Sequence, residues 1–362
     1  MFRILKIAGA VIGVVIGAGY ASGQEVLQYF TSFGHSGTYA AILATALLAY
    51  MGMIMANVGS RLRATSHRTV IYQISGRYLG TIIDGIIIFT LFGTGVLMMA
   101  GAGSTLHQQF GLPVFIGSLI VAVITAISMM LQVEKVISVI ASITPFLLLF
   151  AIFISIYSLS TMDMSFTTLT PIAESQDKPF SNWIVAAVNY ASLCVALGVS
   201  MTFVIGGAEK DARIAGVSGL LGGLGIGIMV TLAHLAIFSQ VNVVASFDLP
   251  LLKIVADISP ALAFLYSIVL FGMIFNSVLG MFYSFIARFF KMGTKRANIA
   301  TVIALAIGFV LSFVGFTTLV SRFYTLVGYL GLLLMVILIY APFKLKRSEQ
   351  QDEFKEEELK SV

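Results

Sequence analysis

Charge is what this sequence has least of. Only 10% of its 362 residues are Asp, Glu, Lys or Arg, against roughly a quarter in soluble domains, and a water-facing surface cannot be built from so few. A single cysteine, Cys194, excludes an internal disulfide and reads as a small buried residue. The four histidines, His35, His67, His107 and His234, share no metal-ligand spacing and accompany no nucleophile, so neither a metal centre nor an enzyme is indicated. The run Gly219-Leu-Leu-Gly-Gly-Leu-Gly225 lacks the preceding strand and the lysine of a phosphate loop; it reads as helix packing, and no nucleotide site is left. The alternating pattern of an outer-membrane barrel is also missing.

Apolar residues, by contrast, make up 59% of the chain, in recurring runs of about 20, each long enough to cross a ~30 Å hydrocarbon core as a helix. About ten spans result, near 4–33, 37–60, 78–106, 113–132, 135–160, 183–206, 213–239, 259–290, 296–314 and 319–342. All Lys and Arg except Lys178, Lys253 and Arg322 fall in the connections of one side and in the C-terminal tail. By the positive-inside rule, which sets the orientation of inner-membrane proteins, both termini are cytoplasmic. That placement accounts for the formal charge of +5 without nucleic acid. Arg3, Lys6 and the sequence Tyr20-Ala21-Ser22 imitate a secretory signal, but the intervening glycines favour a retained first span.

Residues 1–343 read as one all-α transmembrane domain, followed by a charged tail, 344–362. A loop at about 161–182 separates five spans (4–160) from five more (183–342). An odd number per half makes the second half enter from the opposite side, as in inverted-repeat transporters. A second loop, 240–258, carries Phe247-Asp248-Leu249-Pro250 and an apolar stretch suited to a short helix lying over the outer face as a lid.

The segment from Gly13 to Glu25 carries the most information. Gly17, Gly19 and Gly23 fall mid-span, where each costs a helix up to ~1 kcal/mol, and Ser22-Gly-Gln-Glu25 fits a capping box. A helix start at mid-depth implies a broken helix lining a cavity, whose freed amides and carbonyls suit an anionic group and a cation. Close helix packing is the alternative for the glycines. Glu25 either closes the capping box or binds a proton, a cation or a substrate amine. The sixth span offers Asn189, Ser192, Gly198 and Ser200 where a second break belongs, or where ordinary helix contacts lie. Asn276 and Ser277 in the eighth span suit an oxygen shell for sodium, or interhelical hydrogen bonds. Asp84 reads as structural, paired with Arg77 or Lys135.

The string Gly17-Ala-Gly-Tyr-Ala-Ser-Gly-Gln-Glu25, with the ten-span layout, resembles the bacterial YkvI-type membrane proteins, relatives of the amino acid–polyamine–organocation transporters. The resemblance implies a LeuT-type 5+5 fold with the first and sixth helices discontinuous around a central site. It implies that Gly17, Ala18 and Gly19 contact a substrate carboxylate, with Ser22, Glu25, Asn189 and Ser192 beside them. Glu25, Asn276 and Ser277 would then serve the coupling ion. The fifth span lacks the lysine that some proton-coupled relatives place there, which favours sodium, or a proton on Glu25. The expected function is secondary active transport of a small amino-acid-like or organic solute, coupled to sodium or protons, with no other cofactor. A non-transporting sensor or assembly factor on the same fold is the alternative. Neither oligomeric state nor solute identity is legible.

Overall fold

A computed structural model describes residues 1–130 and 144–360, with side chains except at 18, 144, 145, 147 and 346–360. The expected end of the fourth span, the start of the fifth, and Lys135 lie outside the described residues. Within them no strand occurs, and the helices begin where the sequence supplies caps. Ser66, Asn182, Asp211 and Thr294 each accept a hydrogen bond from a first-turn N–H of the helix that follows, satisfying donors that a helix start leaves orphaned.

The first span is three helices, α1 (Phe2–Val15), α2 (Ala18–Ser22) and α3 (Gln24–Tyr29), followed by a 3-10 turn. Then come α4 (His35–Arg61), α5 (His67–Phe110), α6 (Val114–Met130), α7 (Thr144–Ser160) and the loop helix α8 (Phe166–Glu174). The second half holds α9 (Trp183–Ala208), α10 (Ala212–Ser239), the short α11 (Val241–Val244) and α12 (Pro250–Ile258), α13 (Pro260–Ala287) and α14 (Lys295–Ser312). The last span runs from α15 (Phe316–Leu319) through a π turn at Val320–Tyr324 into α16 (Thr325–Lys360). Seven of these helices are long and apolar enough to cross a membrane; α6 and α7 are shorter, and the broken first segment completes ten spans.

The halves meet through α4, α9 and α10. A Cβ at Gly52 would stand 2.4 Å from the Gly219 carbonyl oxygen, and one at Gly223 2.2 Å from that of Leu48. Backbones this close require glycine, so the run at 219–225 packs helices as its composition suggested. Two faces follow. One carries Arg3, 2.6 Å from the buried Glu209 carboxylate, and Lys344, which donates to the carbonyls of Gln73 and Ile74; we call it the terminal face. The opposite face carries α8, α11 and α12.

Two expectations need correction. The sixth span, α9, is one uninterrupted helix. Its weak point is used for contact instead: a Cβ at Gly198 would stand 2.8 Å from Val15 Cγ2, so the glycine makes room for the end of α1. The third span begins close to its expected start near 78, because Gly76, at φ +76° and ψ −177°, interrupts α5 and separates a leading helical stretch from His67 from the span itself. Asp84 does not pair with Arg77, and Lys135 lies outside the described residues. Arg288, at the end of α13, grips both its carboxylate oxygens, and His67 Nε2 lies 3.8 Å away. A bidentate guanidinium from a packed neighbour outcompetes a sequence-local partner.

Candidate functional site

The first span is interrupted twice. After Val15 the backbone is extended at Ile16 (φ −75°, ψ 94°) and at Gly17 (φ −115°, ψ −158°). After Ser22 it turns through Gly23 at φ +82°, a left-handed geometry that side chains rarely adopt. Leu251 of α12 also sits where a Cβ of Gly23 would point, its backbone nitrogen 3.2 Å away.

Interrupted helices expose polar backbone that must be satisfied or put to use. Tyr266 of α13 donates to the Ala21 carbonyl at 2.6 Å, and Ser22 Oγ donates to the Gly19 carbonyl at 2.6 Å. Ser22 Oγ also accepts from the Gln24 N–H at 3.1 Å. Ser22 Oγ thus satisfies the first amide of α3, but Gly23 is the capping residue and neither bond of the expected capping box is made. Glu25 turns away instead. Its Oε1 accepts from Tyr190 Oη of α9 at 3.1 Å, and its Oε2 stands 2.5 Å from where a Cβ of Gly19 would be. The carboxylate therefore lies against bare peptide between the two interruptions.

A cavity of about 40 Å³ opens beside it, lined by Gly17, Gly19, Glu25, Thr94, Cys194 and Ser277, among others. Among the described residues no Lys, Arg or His lines it and Glu25 is its one carboxylate, so none of them supplies a counter-charge there. Ser277 Oγ donates to the Met273 carbonyl at 3.0 Å and stands 3.3 Å from the Cβ position of Gly17. Thr94 Oγ1 is buried and has no hydrogen-bond partner among the described residues. On the face opposite the termini, edge and tilted contacts among Tyr29, Phe30, Phe180 and Tyr190, at 4.9 to 5.3 Å between centroids, close the chamber.

Of the residues singled out from sequence, Gly17, Gly19, Glu25 and Ser277 meet at this cavity. Ala18 opens α2, its side chain outside the description. Ser22 satisfies the first amide of α3. Asn276 is half-buried and not among the lining residues. Asn189 and Ser192 face the tenth span: Asn189 Nδ2 donates to the Thr325 carbonyl at 3.1 Å, and Ser192 Oγ stands 2.5 Å from the Gly328 carbonyl oxygen. Helical periodicity explains the split, because Tyr190, Leu193, Cys194 and Leu197 share the α9 face toward Glu25 and leave 189 and 192 on another. The second half's irregularity falls in the tenth span, as the π turn whose Tyr324 reaches Gly19. π turns recur at functional sites, yet Val-Ser-Arg-Phe-Tyr carries no glycine or proline to announce one. Thr94 was missed for a similar reason, threonine being common in membrane helices.

The spans, the twice-broken first helix and the lid helices define a LeuT-type transporter fold. A solved structure of Mhp1 in its inward-facing conformation matches with a TM-score of 0.60 over 95% of this chain and 77% of that one, at 14% identity. A Na+-coupled sialic acid symporter in a substrate-bound, outward-open state matches with a TM-score of 0.60 over 92% and 78%, also at 14% identity. In sequence the chain's homologues include two Bacillus subtilis (strain 168) proteins. Membrane protein YkvI is 24% identical over 330 residues, 90% of this chain and 92% of the relative. YyaD is 26% identical over 332 residues, 92% and 95% respectively. No family model matches.

Proposed function

We propose that this chain is a secondary transporter that moves a small, amino-acid-like or organic solute by alternating access, with a cation or proton held at Glu25. The observation that carries the reading is the carboxylate on interrupted backbone, in a chamber where no basic residue is present among the described residues. A carboxylate at that depth is expensive unless something neutralises it, and only a positive partner does so. Thr94 and Ser277 add neutral oxygens, and α1 ends beside them with the last carbonyls that a helix terminus leaves without intrahelical donors. Oxygen ligands of this kind suit a hard cation such as sodium. Support for sodium also comes from the symporter of the same fold, which is described as Na+-coupled. Freed amides at the start of α2 suit a solute carboxylate, and in that role Gly17, Ala18 and Gly19 contact the solute.

At about 40 Å³ the chamber admits a few waters or a desolvated ion, not an amino-acid-sized solute. Solute binding therefore requires it to widen, which is the movement of one five-span repeat (4–160) against the other (183–342). The termini and the basic loops lie on the cytoplasmic side of a bacterial membrane in this reading. The test is uptake into proteoliposomes under a sodium or proton gradient, after a thermal-shift screen for solutes with and without sodium. Glu25→Gln is expected to abolish gradient-driven uptake while the protein stays folded. Uptake at the wild-type rate and with wild-type coupling would refute the role of Glu25.

A further inference from the structure

Between α5, α13 and α14 a groove of about 650 Å³ faces the membrane, apart from the chamber and the lid. Phe89, Phe92, Phe289, Ile303 and Ile307 wall it, and Gly85 leaves its floor open, with no atom within 4 Å of a Cβ built there. Phe89, Phe289, Ile303 and Ile307 are between 44% and 56% exposed. Along α14 the groove runs from Ala300 to Ile307, ~10 Å at 1.5 Å per residue, within one leaflet of a ~30 Å core.

The groove starts at the turn between α13 and α14, whose sequence Arg288-Phe-Phe-Lys-Met-Gly-Thr-Lys-Arg296 holds four cations and no acid. Arg288 is committed to Asp84. Lys291, Lys295 and Arg296 are exposed, and no carboxylate among the described residues pairs with them. A wholly apolar slot ending at three uncompensated cations, at the depth where a bilayer turns polar, complements an amphiphile with a negative head. A second copy fits poorly. Two-fold pairing in a membrane sets equal depths side by side, which would press basic turn against basic turn.

We propose that this groove binds one acyl chain of an anionic phospholipid from the leaflet at the terminal face, with Lys291, Lys295 and Arg296 taking its phosphate. The site is independent of the transported solute.

Native mass spectrometry of the purified full chain, titrated with phosphatidylglycerol or phosphatidylcholine of identical chains, tests it. The expected result is at least tenfold tighter retention of phosphatidylglycerol. Combined Lys291→Gln, Lys295→Gln and Arg296→Gln should erase that preference while phosphatidylcholine binding persists; a Lys210→Gln control on another loop should leave it intact. Gly85→Leu, which fills the floor, should weaken both lipids, and glycerol phosphate without chains should not compete. If Gly85→Leu does not fold, the exposed triple variant carries the test alone. Equal retention of the two lipids by the unaltered protein would overturn the proposal. So would a preference that survives the triple variant, effective competition by glycerol phosphate, or dimers cross-linked through Ile303→Cys in place of lipid adducts.

Discussion

Gly19 leaves no room for change. A methyl group there would stand 2.5 Å from Glu25 Oε2 and 3.2 Å from Tyr324 Oη, so Gly19→Ala must displace the carboxylate, the phenol or both. The expected outcome is more than a tenfold loss of solute uptake alongside an overpacking cost of about 1–3 kcal/mol. Thermal unfolding with and without solute separates the two, because a displaced carboxylate also removes ligand-dependent stabilisation. Tyr266→Phe acts on the backbone instead. It strands the Ala21 carbonyl, which the phenol now satisfies at 2.6 Å, at a cost of about 1–3 kcal/mol; an unchanged melting temperature would remove that bond from the account. Glu25 was legible in the sequence because a carboxylate inside an apolar run has few innocent explanations. Asn189 and Ser192 were legible only as polar, since one turn of a helix decides whether a side chain meets a chamber or a neighbour. Their hydrogen bonds to the tenth span run to residues 136 positions away, which spacing cannot foretell.

Elements were easier to read than their junctions. Long apolar runs fixed most of the spans, and Pro250 after Phe247-Asp248-Leu249 marked the start of the short helix α12. The anchoring of that helix was not legible. Asp248 accepts from Ser104 Oγ at 2.8 Å and from Thr317 Oγ1 at 2.7 Å, and Gln108 exchanges two hydrogen bonds with the Leu249 backbone. The lid is thus fastened to the third and tenth spans at once. Asp248→Ala should loosen it, which hydrogen exchange would read as lost protection across Pro250–Ile258, with α4 unaffected. The continuous α9 and the π turn are the other instructive pair. Glycine and serine at 198 and 200 are as good for helix contact as for a break, and here the contact with α1 won. Asn189→Ala, which unties the sixth span from the tenth, should cost about 1–3 kcal/mol, read as a lower melting temperature.

Across the whole molecule, Cys194 lines the chamber and is the only cysteine, so a membrane-impermeant thiol reagent reports access to the chamber without background. Labelling of the unaltered protein should be slow from either side, since Cys194 is 4% exposed. Arg3→Ala, which removes the partner of buried Glu209, should speed labelling from the terminal face. Asp248→Ala should speed it from the opposite face. Equal acceleration from both sides by either variant would contradict two independent closures. One cation crossing ~100 mV yields about 2.3 kcal/mol, and a tenfold ion gradient adds about 1.4 kcal/mol. With the cation coupling proposed above, these together would sustain a solute gradient of roughly a few hundred-fold. Such leverage is wasted if both doors swing on one stiff rod. The five-residue α2 is built against that: Tyr20 ties it to the Met229 carbonyl of α10 and Ala21 ties it to Tyr266 of α13, while extended backbone at Ile16–Gly17 and the left-handed turn at Gly23 separate it from α1 and α3. In the proposed transport cycle α2 is therefore a bearing held by the second half, and the two sides of the chamber need not be joined through one unbroken rod.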